Sequence, residues 1–390
     1  MNTSDRNQQA AKLSDLLLSW YDSERRILPW REDPTPYHVW VSEIMLQQTR
    51  VDTVIEYYQR FLRELPDVKA LAEAEEERLL KLWQGLGYYS RARNLHKAAR
   101  QVVAMGRFPD SLKGIKALKG VGDYTAAAIA CFAFGVPAAV VDGNVYRVLA
   151  RYFDIDVPIN SSQGKRVFAE LAQSLLPQSE AVAYNQGIMD FGAMVCTPMA
   201  PRCAECPLMV SCAAFRSRRV DLLPVKLKTV KVRERHLAYV FVRCWERGDG
   251  VPMTAIHRRS KGDIWQGLWE PFNASVADER ASSPEEIARM LYSKCSEVDG
   301  AEVLLRQGEG LSADMDFPAG KCNSKLPVLR LVAKGVKHVL THRILLVDFY
   351  MLDVTSRPAL PDGYVWVSEE ELERYAMPKV IVKYVPRISD

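Results

Sequence analysis

The sequence has no run of about 20 consecutive apolar residues, the length that a membrane-spanning helix needs. Its N-terminal stretch, MNTSDRNQQAAKLSD, is polar and lacks the apolar segment of a secretion signal. Internal repeats and low-complexity tracts are also missing. We therefore expect a protein that does not enter membranes and that works in a reducing, cytoplasmic compartment.

A large excess of charge of one sign is missing as well, because the net charge of the 390 residues is only +4. The apolar fraction of 48% and the charged fraction of 26% are ordinary for a globular protein long enough to form two domains. Positive charge is nevertheless concentrated between Arg216 and Arg235, where eight basic residues oppose Asp221 and Glu234. A solvated linker is the ordinary interpretation, and a surface that attracts a polyanion is the alternative.

Apolar residues recur at helical spacing from the N-terminus to about residue 215, and β-rich segments predominate from residue 236. We therefore predict a multidomain fold, with an all-α domain at 1–215, a basic linker at 216–235 and a smaller α+β domain at 236–390. The predicted helices are 37–49, 52–64, 75–84, 91–105, 123–133, 143–152, 163–175 and 283–294, and the β-rich segments include 236–243 and 339–352.

Four of the eight cysteines fall within 17 residues, in the pattern Cys196-x6-Cys203-x2-Cys206-x5-Cys212. A disulfide scaffold would spread its cysteines through a short secreted chain, so a metal centre is the better interpretation. Four thiolates can hold one cubane iron–sulfur cluster, whereas structural zinc sites usually pair two short Cys-x-x-Cys knuckles. The spacing favours iron–sulfur over zinc and over unrelated buried cysteines. It leaves open whether the role is redox or structural.

Two glycines, Gly120 and Gly122, lie in the motif LKGVGD between two predicted helices. Glycine lets backbone N–H groups approach a phosphate closely, and the following helix begins at the positive end of its dipole. Lys113, Lys116 and Lys119 add positive charge just before the turn. Such a hairpin can hold DNA without reading its sequence, and an ordinary loop is the alternative.

Two carboxylates stand out by their surroundings. Glu43 lies in a predicted helix among apolar neighbours, where a raised pKa would let it hold a proton near neutral pH and act as a general acid. Asp142 precedes another helix, where it is expected to be the N-cap, to keep a low pKa and to stay ionised. One protonated acid and one ionised partner suit glycosidic cleavage, whose transition state resembles an oxocarbenium ion. An exposed glutamate and a purely structural cap are the ordinary alternatives.

The glycine hairpin, the segment VDGNV around Asp142 and the four cysteines occur in the order seen in a known superfamily. Together they resemble the helix–hairpin–helix DNA glycosylases of the endonuclease III type, over roughly residues 25–215. The resemblance implies a helical glycosylase domain that binds double-stranded DNA. It also implies a [4Fe-4S] cluster held by the cysteines of the loop 196–212.

The segment SEIMLQQT, which begins at Ser42, is similar to the catalytic-acid motif of the MutY-type adenine glycosylases. The strand-cleaving branch of the superfamily carries a lysine where this chain has Tyr124, and a phenol cannot form the Schiff base. The resemblance therefore implies a monofunctional base-excision repair enzyme that removes adenine mispaired with 8-oxoguanine or guanine. A bifunctional pyrimidine glycosylase and a non-catalytic DNA-binding protein are the alternatives.

The same resemblance implies roles for single residues. Adenine is flipped out of the duplex, Glu43 protonates N7, Asp142 stabilises the cationic sugar, and water completes the reaction. Tyr124 and Asn144 are expected to form hydrogen bonds near Asp142 and the sugar. The adenine pocket is expected to contain Arg26, Trp30, Arg31, Leu46 and Gln186, while Gln48 and Tyr88 are expected to fill or wedge the opened base stack.

The segment HRRSKGDIWQGLWE, which begins at His257, resembles the start of the Nudix-like domain of the same family. The helix predicted at 283–294 lacks the glutamate spacing that a hydrolysing Nudix enzyme uses to bind magnesium, so lesion recognition is the expected role. A Phe-Ser-His loop probes 8-oxoguanine in the family, and Leu340, Thr341 and His342 occupy the matching positions. Leu340 replaces the aromatic wedge, and a branched aliphatic side chain can still intercalate.

The resemblance also guides our expectations about partners and location. We expect a monomer that acts on duplexes with A:8-oxoguanine or A:G mispairs, in the cytoplasm of a bacterium and in association with its nucleoid. Repair or replication proteins are expected to dock on the basic linker at 216–235.

Overall fold

The computed structural model describes the backbone of residues 3–227, 232–245, 251–294, 304–305, 328–354 and 356–385. Side chains are described for 11–227, 232–245, 251–291, 329–354 and 356–385. The chain divides into two compact units, the first made of residues 1–74 and 90–229, the second of residues 75–89 and 230–390. Residues 228–231 of the predicted basic linker lie outside the described residues.

The first unit is all-α over its described residues, as the sequence predicts. Side-chain caps fix several helix starts, since Thr35, Ser111 and Ser161 each accept a hydrogen bond from a backbone N–H in the first turn. No helix in the described part of the chain is both long and apolar enough to cross a membrane. In chain order, and with α6 belonging to the second unit, the helices are α1 (Thr3–Glu24), α2 (Pro29–Glu32), α3 (Pro36–Leu46), α4 (Val51–Glu64), α5 (Val68–Glu73), α6 (Glu76–Trp83), α7 (Ser90–Met105), α8 (Leu112–Lys116), α9 (Asp123–Phe134), α10 (Gly143–Tyr152), α11 (Ser162–Leu175), α12 (Ala181–Met194) and α13 (Ala213–Arg216).

Helix α3 ends at Leu46, three residues earlier than the sequence predicts. Gln47 has a ψ of 112°, and Gln48 has a φ of 61°, so neither continues the helix. A positive φ is uncommon for a residue other than glycine, and it persists where the surroundings fix the backbone. The buried guanidinium of Arg91 does so here, because it donates hydrogen bonds to three carbonyls of this helix end, including that of Gln47 at 2.6 Å.

The core of the first unit gathers around α9, whose residues 125–131 are all buried. Helices α1, α10, α11 and α12 contribute to the same cluster, with side chains such as Leu13, Phe168 and Phe191. Burial of each large apolar side chain stabilises the fold by roughly 2 kcal/mol. The cluster therefore holds the starts of α9 and α10 firmly, and these starts carry Tyr124 and Asp142.

The predicted glycine hairpin connects α8 to α9. Gly120 has a φ of 80°, and a Cβ atom there would lie 2.6 Å from the Cβ of Asn94, so the turn requires glycine at this position. Gly122 is the N-cap of α9 in extended conformation, and a Cβ added there would meet no atom within 4 Å. The two glycines therefore have different roles, and only Gly120 is fixed by the backbone of the turn.

The segment with the four cysteines follows α12 and is mostly irregular. It contains short 3₁₀ helices at Cys203–Glu205, Met209–Ser211 and Val220–Leu222, besides α13. Arg151 of α10 is buried and organises this segment, because it donates hydrogen bonds of 2.8 to 3.2 Å to the carbonyls of Thr197, Pro198, Val220 and Leu223.

The second unit is built on one mixed sheet, whose strands in the described residues are β1 (Arg233–Cys244), β2 (Met253–Arg258), β3 (Trp269–Glu270), β4 (Phe272–Asn273), β5 (Leu304–Leu305), β6 (Val328–Val339), β7 (Arg343–Val354) and β8 (Tyr364–Ser368). Their order is β3-β2-β1-β7-β6-β5, with β4 also paired to β1 and β8 to β2. Strands β1 and β7 run in parallel, whereas β6 and β7 form an antiparallel hairpin with its turn at 340–342. The predicted α+β class is confirmed.

Both faces of the sheet are covered. Successive side chains of β1 alternate between the faces, as the pleat of a strand requires. Ala238, Val240 and Val242 pack on one face with α14 (Pro284–Lys294), whose predicted position is confirmed. Leu237, Tyr239 and Phe241 pack on the other face with α15 (Lys379–Val382) and the 3₁₀ helix Glu369–Arg374.

Residues 75–89, which include α6, group with the second unit and not with the helices on either side of them in the chain. The Glu76 carboxylate pairs with Arg258 at 3.1 Å, and Glu77 accepts a hydrogen bond from the indole of Trp269. The backbone N–H of Met377 donates to the side chain of Gln84. The boundary that we predicted at residue 215 assigned this helix to the first domain, because the contacts that group it with the sheet are distant in sequence.

Candidate active site

A cavity of about 440 Å³ lies in the first unit, among α2, α3, α9, the start of α10 and α12. It brings together residues that are far apart in sequence, including both predicted carboxylates and every residue predicted for the adenine pocket. It is lined by the catalytic candidates Glu43, Tyr124, Asp142 and Asn144, by the pocket candidates Arg26, Trp30, Arg31, Leu46 and Gln186, and by Gln48, which we predicted to fill or wedge the opened base stack.

Glu43 lies on α3 and is only 3% exposed. Its Oε2 atom accepts a hydrogen bond from the Tyr124 hydroxyl at 2.7 Å. Burial raises the pKa of Glu43 to about 7, with the negative charge of Asp142 also raising it and the Tyr124 hydrogen bond and Arg31 lowering it. The predicted upward shift is confirmed, and a carboxyl group with this pKa can donate a proton near neutral pH.

Asp142 is the N-cap of α10, as the sequence predicts. Its Oδ1 accepts hydrogen bonds from the backbone N–H groups of Asn144 and Val145, both at 2.8 Å, and its Oδ2 accepts one from Asn144 Nδ2 at 2.7 Å. Our expectation of a low pKa was wrong, because burial raises the pKa of Asp142 above its usual value and the hydrogen bonds and Arg147 offset this only in part. The three hydrogen bonds and the charge of Arg147 nevertheless favour the charged form of Asp142.

The Tyr124 hydroxyl donates to Glu43, whereas we expected it near Asp142. Burial raises the pKa of Tyr124 well above its usual value, and the neighbouring carboxylates raise it further. Tyr124 therefore remains a hydrogen-bond donor at physiological pH. The expected contact of Asn144 with Asp142 is present.

Asn144 is held in place by a hydrogen bond from Arg147 of α10 and by close packing against Gly192 of α12. Arg147 Nη2 donates to Asn144 Oδ1 at 2.8 Å and to the Gly192 carbonyl at 2.6 Å, while Arg147 Nε donates to the Cys196 carbonyl at 2.6 Å. A Cβ atom at Gly192 would lie 2.7 Å from the Cβ of Asn144. Glycine at position 192 therefore allows α12 to approach the start of α10 closely at Asn144.

A cluster of charged groups at the edge of the cavity was not predicted from the sequence. Asp190 of α12 is fully buried, and its carboxylate accepts hydrogen bonds from Arg26 Nε at 2.8 Å and from Arg31 Nη1 and Nη2 at 2.8 and 3.0 Å. Burial alone would raise the pKa of Asp190, but the two guanidinium groups lower it overall. Its position four residues after Gln186, on the same face of α12, was the signal that could have identified it.

The remaining pocket candidates differ in how freely they face the cavity. Trp30 is buried and packs edge-to-face on Tyr58, with 5.4 Å between the ring centroids. Leu46 is half-buried at the end of α3, and Gln48 is exposed in the strained turn that follows it. Gln48 is therefore the most accessible of these side chains.

The four cysteines of the predicted metal site carry free thiols in the first unit. Burial raises the pKa values of Cys203, Cys206 and Cys212, that of Cys206 to about 12, and the neighbouring thiols raise them further. Arg151 Nη1 lies 3.4 Å from Cys196 Sγ, the first cysteine of the loop. In the described ranges, no three His, Cys, Asp or Glu side chains are grouped as ligands of a single metal ion. The chemistry of the donor set, four thiols on the one loop 196–212, fits a cationic group that binds thiolates.

The predicted phosphate-binding hairpin is exposed at the surface of the first unit. Lys113, Lys116 and Lys119 all have exposed side chains, and Lys116 forms an ion pair with Asp123 at the start of α9. The backbone N–H of Lys119 donates to the side chain of Gln101 at 2.8 Å, which anchors the turn to α7. Positive charge thus surrounds Gly120 and Gly122, as the sequence predicts.

The predicted lesion-reading residues lie at the turn between β6 and β7 in the second unit. Thr341 and His342 are exposed, and the hydroxyl of Thr341 forms a hydrogen bond with that of Tyr88, a residue 253 positions away. Leu340 is half-buried and packs against the core of the sheet. Val339, which was not predicted, is 66% exposed and is the more accessible apolar side chain beside this turn.

Two families of known proteins are similar to this chain. Residues 41–176 match the HhH-GPD superfamily of base excision DNA repair proteins, and residues 244–387 match the NUDIX domain. A solved structure described as a thermostable thymine-DNA glycosylase is 32% identical, with a TM-score of 0.51, and covers 54% of this chain and 99% of that one.

Curated relatives carry the name adenine DNA glycosylase. The Mus musculus protein is 34% identical over 419 aligned residues, which cover 96% of this chain and 77% of that protein. The Arabidopsis thaliana protein is 36% identical over 302 residues, 68% of this chain and 48% of that protein. The Homo sapiens protein is 46% identical over 209 residues, 51% of this chain and 38% of that protein. The matches thus span about half of the plant relative, and more of the mouse one. Because the agreement with the mouse protein extends along nearly the whole sequence, this chain belongs to the adenine DNA glycosylase family.

Proposed function

We propose that this protein removes adenine mispaired with 8-oxoguanine, or with guanine, from duplex DNA by hydrolysis of the N-glycosidic bond. The observation that carries the proposal is the pairing of Glu43 and Asp142 in one cavity with different surroundings. Glu43 has a single hydrogen-bond donor and a pKa near neutrality, whereas Asp142 accepts three hydrogen bonds that favour its charged form. This difference assigns an acid and an ionised partner.

The proposed reaction uses these groups in turn. An adenine flipped into the cavity receives a proton at N7 from Glu43, which makes the base a better leaving group. The bond between the base and the sugar breaks, the electron pair leaves with the base, and the carboxylate of Asp142 stabilises the positive charge on the sugar. Attack by water, with loss of its proton, gives an abasic site. Asn144 keeps the Asp142 carboxylate aimed at the sugar.

The cavity supports hydrolysis without strand cleavage. A lyase needs an amine that forms a Schiff base with the opened sugar. Tyr124 is a phenol with a raised pKa, and no lysine is among the described residues that line the cavity. We therefore assign a monofunctional glycosylase.

Recognition of 8-oxoguanine is assigned to the turn between β6 and β7, with Thr341, His342 and Tyr88 as polar contacts and Leu340 as an apolar one. The hydrogen bond between the Tyr88 and Thr341 hydroxyls supports this assignment, because it brings two predicted DNA contacts together within the second unit. Val339 adds an exposed apolar side chain that can pack on an unstacked base. The acidic residues of α14 do not enter this site: Glu285 bonds to Ser283, and Glu286 pairs with Arg280.

Replacement of Thr341 by valine is expected to lower the preference for A:8-oxoguanine over A:G about tenfold, because one hydrogen bond to the lesion is lost at nearly constant shape. Single-turnover rates on the two duplexes give this ratio. The A:G rate is the internal control and should stay within about twofold of wild type. An unchanged ratio would remove Thr341 from lesion recognition.

We assign a [4Fe-4S] cluster to Cys196, Cys203, Cys206 and Cys212, supported by their place on one loop as free thiols and by their spacing in the sequence. Such a cluster supplies a covalent cross-link of the loop and can accept or release an electron. This chain's own residues do the rest, because Arg151 and Arg147 hold the loop through hydrogen bonds to its carbonyls.

Replacement of Cys203 by serine is expected to abolish the brown colour of the purified protein and to weaken binding of duplex DNA, because the loop loses one ligand of its cross-link. Iron and acid-labile sulfide per chain, visible absorbance and duplex affinity are the measurements. Cys131→Ser, which changes a buried cysteine outside the loop, is the matched control and should keep iron. A colourless wild-type protein that contains zinc contradicts the assignment.

The partner of this enzyme is duplex DNA, held through the hairpin at Gly120 and Gly122 and its three lysines. We place a monomeric enzyme on the nucleoid, in the cytoplasm of a bacterium. Repair or replication proteins are proposed to dock on the basic linker at 216–235, part of which lies outside the described residues.

The experiment that tests the proposed function is a turnover assay on defined duplexes. Wild-type protein should release adenine from A:8-oxoguanine and A:G duplexes and leave the strand uncut until alkali is added. A duplex with thymine glycol is the comparison. Cleavage of that duplex alone would indicate the bifunctional pyrimidine enzyme, and binding without any release would indicate a non-catalytic protein.

A further inference from the structure

The wall of the cavity has a second layer that the predicted roles do not use. Tyr21 of α1 is buried, and its hydroxyl donates a hydrogen bond of 2.5 Å to Oε1 of Gln186. Gln186 lines the base cavity, whereas Tyr21 lines a separate cavity of about 430 Å³ with Gln186 on its border. Gln186 thus lies between the two cavities, and Tyr21 forms its hydrogen bond with Gln186 from the side of the second cavity.

The direction of this hydrogen bond fixes the direction of the amide. A glutamine side chain carries an acceptor oxygen and a donor NH₂ group on the same carbon, and the two look alike in shape. Because Oε1 of Gln186 accepts the Tyr21 hydrogen bond, the NH₂ group on the same carbon remains available to the base cavity, which Gln186 also lines. Burial raises the pKa of Tyr21, which keeps the hydroxyl protonated and therefore a donor.

Tyr21 is itself locked in place by its neighbours. A Cβ atom at Gly187 would lie 3.2 Å from the Cβ of Tyr21, so the tyrosine packs directly on the backbone of α12 beside Gln186. The Arg31 guanidinium, which lines the base cavity, lies 5.9 Å from the centre of the Tyr21 ring. One side chain therefore supports two of the residues predicted to contact adenine.

We propose that Tyr21 is a positioning residue for base recognition, which orients the Gln186 amide so that its NH₂ group binds an acceptor nitrogen on the purine edge. This inference rests on the proposed function and deepens it, because it states that Gln186 recognises a hydrogen-bond acceptor nitrogen of the base. A base with carbon in place of that nitrogen leaves the NH₂ group unpaired and is rejected. Loss of the Tyr21 hydroxyl frees the amide to rotate and weakens this discrimination.

The first test uses Tyr21→Phe, which removes only the hydroxyl, and duplexes in which the target adenine opposite 8-oxoguanine is replaced by 1-deazaadenine or 3-deazaadenine. Each analogue lacks one acceptor nitrogen and keeps N7. For wild type, we expect one analogue to be excised more slowly than adenine, and for Tyr21→Phe we expect that same penalty to shrink about tenfold. Comparison of the two proteins cancels the intrinsic reactivity of the analogue. Equal penalties in both proteins would overturn the proposal.

The second test is a double-mutant cycle with Gln186→Ala, measured as single-turnover rates on adenine. If Tyr21 acts through Gln186, then Tyr21→Phe slows the wild-type enzyme about tenfold and has no further effect in the Gln186→Ala background. Losses that multiply in the double variant would mean that the hydroxyl has only a structural role, and would overturn the proposal.

A matched control guards against a general effect on folding. Tyr37→Phe also removes a buried tyrosine hydroxyl. That hydroxyl donates a hydrogen bond of 2.7 Å to the Leu65 carbonyl, and neither residue lines the base cavity. This variant should leave the ratio of deaza-analogue to adenine rates unchanged while showing a thermal midpoint similar to that of Tyr21→Phe. A wild-type protein that excises no adenine contradicts both this inference and the proposed function, whereas an active enzyme with multiplicative losses contradicts the inference alone.

Discussion

Replacement of Glu43 by glutamine is expected to slow adenine excision about 10³-fold, because glutamine keeps the shape and the hydrogen bond from Tyr124 but has no proton to give. The measurement is the single-turnover rate on an A:8-oxoguanine duplex. Duplex affinity should remain within a few fold of wild type, since Glu43 is buried in the cavity. A variant that retains more than about a tenth of the wild-type rate would exclude Glu43 as the acid.

The pH dependence gives the same assignment a second readout. The pKa of Glu43 is about 7, so the wild-type rate should fall as pH rises through 7 and the acid loses its proton. The same raised pKa makes the folded state bind a proton that the unfolded state has already lost, so the free energy of unfolding falls between pH 4.5 and 7, by roughly 3 kcal/mol in all. Glu43→Gln lacks this loss, and at pH 8 it should be at least as stable as wild type. An inactive variant that also melts earlier at pH 8 would point to misfolding instead.

Replacement of Asp142 by asparagine is the other change with a large expected effect, also about 10³-fold on the rate, because the sugar cation loses its counter-charge. The new amide can still cap α10 through its oxygen, so the backbone hydrogen bonds from Asn144 and Val145 can persist. Its NH₂ group, however, opposes the NH₂ group of Asn144, where Asp142 now accepts a hydrogen bond. Because the cap of α10 persists, the circular dichroism spectrum and the duplex affinity should change little while the rate falls.

The residual activity of Asp142→Asn carries a distinct signature. The negative charge of Asp142 raises the pKa of Glu43, so its removal should move the alkaline fall in rate to lower pH. The rate–pH profile of the slow variant, measured in single turnover, tests this shift. An unchanged profile would mean that the two carboxylates do not act on the same site.

Local pattern was enough to predict most helices and the β-rich second half, whereas most of the predicted cavity residues came from the family resemblance. The helix predicted at 143–152 matches α10 because an aspartate cap and apolar spacing mark it in the sequence itself. The end of α3 was placed too late, since the buried guanidinium of Arg91, distant in sequence, stops the helix after Leu46. The grouping of α6 with the sheet was missed for the same reason, because contacts between distant segments leave no periodic signal.

The family resemblance predicted residues that line the cavity, but it did not predict their hydrogen bonds or the directions of their pKa shifts. The motif around Asp142 indicated a cap, yet the sign of its pKa shift depends on burial by elements far along the chain. Asp190 and Tyr21 carry no motif, and their importance appears only when Arg26, Arg31 and Gln186 are seen to converge on them.

The assignment of α6 to the second unit has a consequence for how this chain can be divided. The polypeptide crosses from the first unit to the second and back before it finishes the first, so no single cut separates them. A fragment that stops after residue 229 keeps α6 but discards Arg258, Trp269 and Met377, to which that helix is bound. Truncation at the apparent boundary therefore leaves α6 attached to the first unit without the sheet on which it packs. To produce the second unit on its own, residues 75–89 must be included with residues 230–390.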